Sequence, residues 1–129
     1  MNADTVVIAT FTTRVITVQI DIKPGSFPNA IKLQDTGNIP VAIFSTAAFD
    51  ARTIDIAGLE LNGAGVRIVK GKGYQASYED INGDGILDLL VHFDRGDVQL
   101  ILGDSTATVT GKTIDGVIIQ GTDSVKVIE

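Results

Sequence analysis

The stretch EDINGDGILDLLVHF, Glu79 to Phe93, decides how this chain folds and is also its most chemically loaded segment. Its second half alternates: Leu89, Val91 and Phe93 fall on one face of an extended chain, and Asp88, Leu90 and His92 on the other. Period two over seven residues is the signature of a half-buried strand. Its first half places oxygen-bearing side chains, Asp80, Asn82, Asp84 and Asp88, at positions 1, 3, 5 and 9 of a loop, with Gly85 at position 6. A charged loop opening directly into a strand predicts a β domain whose acidic site is set between strands.

The same alternation recurs outward from there. In VITVQIDI, Ile16, Val18, Ile20 and Ile22 share one face, and Thr17, Gln19 and Asp21 the other. IPVAIFS (39–45), IDIAGLEL (54–61), VQLIL (98–102), ATVTG, GVIIQG and DSVKVIE are apolar or β-branched runs of strand length. Asp115-Gly116 is a hairpin turn signal, and Asn62-Gly63 is one of the glycine-containing breaks that punctuate the chain. Ser45–Ala51 is the one segment suited to a helical turn, with Ser45 or Thr46 as its cap. KPGSFPN (23–29) carries two prolines and a glycine and reads as an ordered connection. The expectation is an all-β fold: an antiparallel β-sandwich, immunoglobulin-like in outline, with at most one short helical turn. The 129 residues suit one domain, in which residues 1–14 are either a first strand or an extension.

Composition narrows the chemistry. There are no cysteines and a single histidine, His92, so zinc sites built on sulfur or nitrogen are excluded and a hard, oxygen-liking cation remains. No apolar run approaches the roughly 20 residues of a membrane span, and MNADTVVIATFTTR lacks the tripartite pattern of a signal peptide. The net charge is −6, and it is concentrated. Glu79 to Asp97 holds six acids against one base, while the other 110 residues hold ten acids and nine bases. Nucleic acid, whose phosphates require a basic face, is a poor partner.

Two readings of residues 80–88 compete: a cation site, or a solvated acidic turn, since Asp, Asn and Gly are also turn formers. Four spaced oxygens with a glycine at position 6 favour Ca2+, which takes six to eight oxygen ligands. Asp80, Asn82 and Asp84 would supply side-chain oxygens, Ile86 its carbonyl, and Asp88 a direct or water-mediated ligand. Glu79, or an acid from elsewhere such as Asp21, would complete the shell. Position 12 is Val91, and the flanks are strands, so the segment is not an EF-hand. It more closely resembles the short DxDxDGxxD calcium loops of dockerin, thrombospondin type 3 and FG-GAP modules.

VQIDIKPGSFPNAI, IPVAIFSTAAFDA, EDINGDGILDLLVHF and TGKTIDGVIIQGTDSVKVI together resemble a bacterial extracellular accessory domain, of the kind found at the C-terminal ends of large secreted or surface proteins. The resemblance spans Val15 to Glu129. It implies a β-sandwich and an extracellular or cell-surface location, and it supplies no catalytic activity, so the chain is expected not to be an enzyme. The functional expectation is a calcium-binding structural or adhesive module, with protein modules as partners. The alternative is a carbohydrate-binding module that takes a polysaccharide through Tyr74 and Tyr78, although tryptophan is absent. Arg95-Gly96-Asp97 is an integrin-type tripeptide, expected at a hairpin tip. His92 invites a triad with Asp88 or Asp94, but no nucleophile elbow accompanies it. KGKGYQ lacks phosphate-loop spacing and reads as a turn.

Overall fold

The computed structural model describes residues 15–24, 30–32 and 37–128. The expectations for residues 1–14 and for most of KPGSFPN fall outside these. Thirteen short strands are described: β1 (Val15–Thr17), β2 (Ile20–Ile22), β3 (Ala30–Lys32), β4 (Asn38–Ile43), β5 (Glu60–Leu61), β6 (Ala64–Gly65), β7 (Ile68–Val69), β8 (Gly73–Tyr74), β9 (Ala76–Glu79), β10 (Asp88–Asp94), β11 (Thr106–Lys112), β12 (Ile118–Ser124) and β13 (Lys126–Ile128). A four-stranded sheet runs β9-β10-β4-β2 and a five-stranded sheet runs β1-β12-β11-β5-β6. The fold is an all-β sandwich, antiparallel except where β1 joins β12 and β3 joins β13 in parallel.

The core lies between the two larger sheets. Leu89, Val91 and Phe93 of β10 are fully buried, as are Val41 and Ile43 of β4, and they meet Leu61, Val109 and Ile119 from the opposite sheet. Burial of one such side chain is worth about 1.5–3 kcal/mol. A one-residue slip of β10 would turn three of them outward and lose roughly 5 kcal/mol or more, so alternation fixes the register.

Val15–Ile22 reads as one strand in the sequence, but it breaks at Val18-Gln19 and changes sheets. Its first part pairs with β12 and its second with β4. The crossover is pressed onto Gly121, where an added Cβ would lie 2.7 Å from the Val18 carbonyl oxygen and 2.9 Å from Ile20 Cγ2. Glycine stands there because backbone passes so close. Gly121→Ala is expected to cost about 2–3 kcal/mol through overpacking, read as a lower urea midpoint with an unchanged slope.

Three segments depart from their sequence reading. The helical turn expected at Ser45–Ala51 gives way to a tight turn between Thr46 and Phe49, and 3₁₀ turns form instead at Ala51–Thr53, Ile56–Gly58 and Arg95–Asp97. The cap is Asp50, whose side chain accepts from the Arg52 amide. IDIAGLEL is therefore largely turn, with only Glu60–Leu61 in a sheet. VQLIL is not a strand: Val98 and Leu100 tuck into the core while Ile101 and Leu102 are exposed.

Candidate metal centre

Residues 80–87 join β9 to β10, and the pairing of Glu79 with Asp88 closes the loop at its base. Within it the backbone wraps around the Asp80 carboxylate. Oδ1 accepts the amides of Gly83 at 2.9 Å and Asp84 at 3.1 Å, and Oδ2 accepts that of Gly85 at 2.9 Å. Gly83 and Gly85 have φ of +77° and +86°, conformations that side chains resist, so the alternating glycines permit this curl. Asp84 Oδ1 accepts from the Ile86 amide at 2.9 Å, and Asn82 Oδ1 makes a longer contact of 3.3 Å with the Asp84 amide.

Asp88 is buried with no exposed surface. Its Oδ2 accepts from the Ile81 amide at 3.0 Å and its Oδ1 from the Ser45 amide at 2.8 Å. Ser45 in turn donates its hydroxyl to the Leu87 carbonyl at 2.6 Å and accepts the Ala51 amide at 2.8 Å. The loop's last acid thereby fastens three pieces of chain: the loop entry, the end of β4 and the first 3₁₀ turn. Ser45, expected as a helix cap, serves this junction instead.

Asp80, Asp84 and Asp88 each present an oxygen within 4.8 Å of the others. A calcium shell of about 2.3–2.6 Å radius spans roughly 5 Å, so the three oxygens are gathered on the scale of one such shell. A carboxylate offers about four lone-pair sites, and the amides occupy only part of that capacity. The donor set is all oxygen, carboxylate-rich and irregular, which suits calcium. Asn82 and Ile86 stand at the third and seventh loop positions, both exposed. Glu79 lies outside the three-carboxylate cluster, and its carboxylate takes the Ser77 hydroxyl at 2.9 Å along its own strand. Asp21 is also elsewhere, on β2, where burial first and the Asp123 carboxylate second push its pKa up.

Arg95 is only 4% exposed, its guanidinium donating to the carbonyls of Lys32 at 2.9 Å and Val98 at 3.1 Å. The tripeptide is thus a 3₁₀ turn with its cation inside the fold, not a displayed hairpin tip. Tyr74 and Tyr78 are exposed but belong to different sheets, Tyr74 in the β7–β8 hairpin and Tyr78 on the edge strand β9. KGKGYQ forms the turn of that hairpin, with Gly71 and Gly73 at positive φ.

His92 Nδ1 faces Asn38 Oδ1 at 2.8 Å, and Asp94 pairs with Arg67 at 3.1 Å, so no triad forms. The His92 pKa is lowered, first by burial and then by the Arg67 charge, with Glu79 opposing. A folded ring that binds protons less tightly than the unfolded one costs stability as pH falls through the unfolded value near 6.5 toward the lower folded value. His92→Gln should flatten the dependence of the urea midpoint on pH in that window.

No protein-family model matches the chain, and no curated protein matches it. A solved structure of AggA, the major subunit of aggregative adherence fimbriae type I from Escherichia coli, is similar at 18% identity over 85% of this chain and 92% of that one. The TM-score is 0.26.

Proposed function

We propose that this chain is a non-catalytic, calcium-binding module of a secreted or cell-surface bacterial protein, with a structural or adhesive role. The observation that carries the reading is the loop itself: a DxNxDGxxD spacing whose backbone curls around Asp80 and gathers three carboxylates on the scale of one ion's shell. When bound, calcium supplies the counter-charge that three gathered carboxylates call for. Asp80, Asp84 and Asp88 hold the ion, and Asn82 and the Ile86 carbonyl contribute neutral oxygens. Asp88 links that loop to Ser45, so order in the loop is passed to the end of β4. Carboxylates already engaged by backbone amides are positioned as ligands more than as acids or bases. An extracellular setting agrees with the resemblance and with the calcium available there.

Isothermal titration with calcium tests the reading. Asp84→Ala removes one charged ligand from the exposed part of the loop and should weaken binding by tenfold or more, about 1.4 kcal/mol. His92→Gln, on the same strand as Asp88, should leave affinity unchanged. Undiminished affinity in Asp84→Ala, or a loss in His92→Gln, would put the ion elsewhere.

A further inference from the structure

The sequence contains two Asn-Gly pairs, Asn62–Gly63 and Asn82–Gly83, and the fold treats them oppositely. Such a pair can react with itself. The glycine amide gives up its proton to hydroxide and its nitrogen bonds to the asparagine Cγ. The Cγ–NH2 bond breaks and ammonia leaves. Water then opens the resulting succinimide at either carbonyl, giving aspartate or isoaspartate. Glycine favours the step because no Cβ shields its nitrogen. An ordered asparagine resists it, because the side-chain amide must swing onto the backbone.

We infer that Asn82 is a site of spontaneous deamidation within the acidic loop and that the fold protects Asn62 from the same reaction. Asn62 is half-buried at the first position of the two-residue turn joining β5 and β6, with φ of +45° followed by +90° at Gly63, a type I′ turn. Its Oδ1 accepts the Thr108 amide at 2.9 Å, and its Nδ2 donates to the Gln99 carbonyl at 3.1 Å. Its backbone amide and carbonyl are bound to the same two residues. Two hydrogen bonds of ordinary strength make a released side chain roughly tenfold or more rarer.

Asn82 is exposed, and among the described residues its Oδ1 makes only the 3.3 Å contact with an amide that also bonds Asp80. Among the described residues, and apart from its chain neighbours, nothing lies within 4 Å of where a Gly83 Cβ would stand, so no other part of the fold packs against that face of the glycine. Its hydrogen bond to Asp80 restrains it, but the acceptor is an exposed carboxylate that water can replace. The two products differ in consequence. Aspartate adds a charged oxygen at the loop's third position. Isoaspartate lengthens the backbone just ahead of the three amides that hold Asp80. Neither the exposure of Asn82 nor the hydrogen bonds of Asn62 depend on a bound ion.

The test is to incubate the full chain warm at mildly alkaline pH with chelator, then digest with trypsin and quantify the amide-to-acid mass change. Residues 73–95 and 53–67 fall in separate tryptic peptides, so each pair is read alone. Isomerisation at Asp84–Gly85 leaves mass unchanged and does not interfere. Conversion in 73–95 should outpace that in 53–67 by roughly tenfold or more, and in urea the two rates should become comparable. Comparable or reversed rates in the native chain, or a native ratio that persists in urea, would overturn the inference.

Discussion

Calcium added to chelator-stripped protein is expected to raise the melting temperature by roughly 10 °C. Binding to the folded state alone stabilises by RT ln(1 + [L]/Kd), about 2.7 kcal/mol at a hundredfold excess over Kd. For a domain of this size each kcal/mol moves the midpoint by about 3–5 °C. The effect follows from where the charges sit. Asp80, Asp84 and Asp88 converge in the folded loop and disperse in the unfolded chain, so the folded state alone offers a shell. Magnesium should do much less, because it demands near-octahedral geometry and gives up water reluctantly, whereas this loop sets its oxygens by a glycine-rich curl. Equal melting temperatures in calcium and in chelator would remove calcium from the account. Equal shifts from both cations would point to simple neutralisation of an acidic patch.

Periodicity revealed most of what packs. Leu89, Val91 and Phe93 are buried together, as their alternation requires, because a sheet with one wet face leaves that pattern. The acidic spacing singles out Asp80, Asp84 and Asp88 among the loop's oxygen donors, and the fold brings an oxygen of each within 4.8 Å of the others. What the sequence concealed depends on non-local contact. Nothing in VITVQIDI announces a change of sheet at Val18-Gln19; the reason lies about a hundred residues away at Gly121. The apolar spacing of IDIAGLEL fits a strand as well as it fits the 3₁₀ turn it forms. Arg95 in an Arg-Gly-Asp sequence looks like a surface motif until its guanidinium is seen bonded to two carbonyls inside the fold. Ser45 looked like a helix cap because a capping hydroxyl and one that bridges Leu87 and Ala51 are indistinguishable in a string of letters.

Asp88 carries the largest single-residue effect expected here. By spacing alone it is the ninth position of the loop and the least direct ligand, so its replacement should weaken calcium binding less than that of Asp80 or Asp84. Its burial changes the ranking for stability. Asp88→Ala leaves the Ser45 and Ile81 amides without their carboxylate acceptor where Asp88 now has no exposed surface. Hydrogen bonds to a charged group are worth about 1.5–3 kcal/mol each, so the loss should be roughly 3–5 kcal/mol. For this chain that is a fall of about 10–20 °C in melting temperature. Asp88→Asn should fall between: one oxygen still accepts, but the new NH2 group faces an amide that also donates. The decisive comparison is made in chelator. There Asp84→Ala should melt close to wild type, because its carboxylate is exposed and among the described residues holds only the Ile86 amide. Asp88→Ala should remain far below, because its task in joining Ser45 to the loop does not depend on an ion. Wild-type stability of Asp88→Ala in chelator would show that the residue is a ligand alone and that the junction at Ser45 contributes nothing.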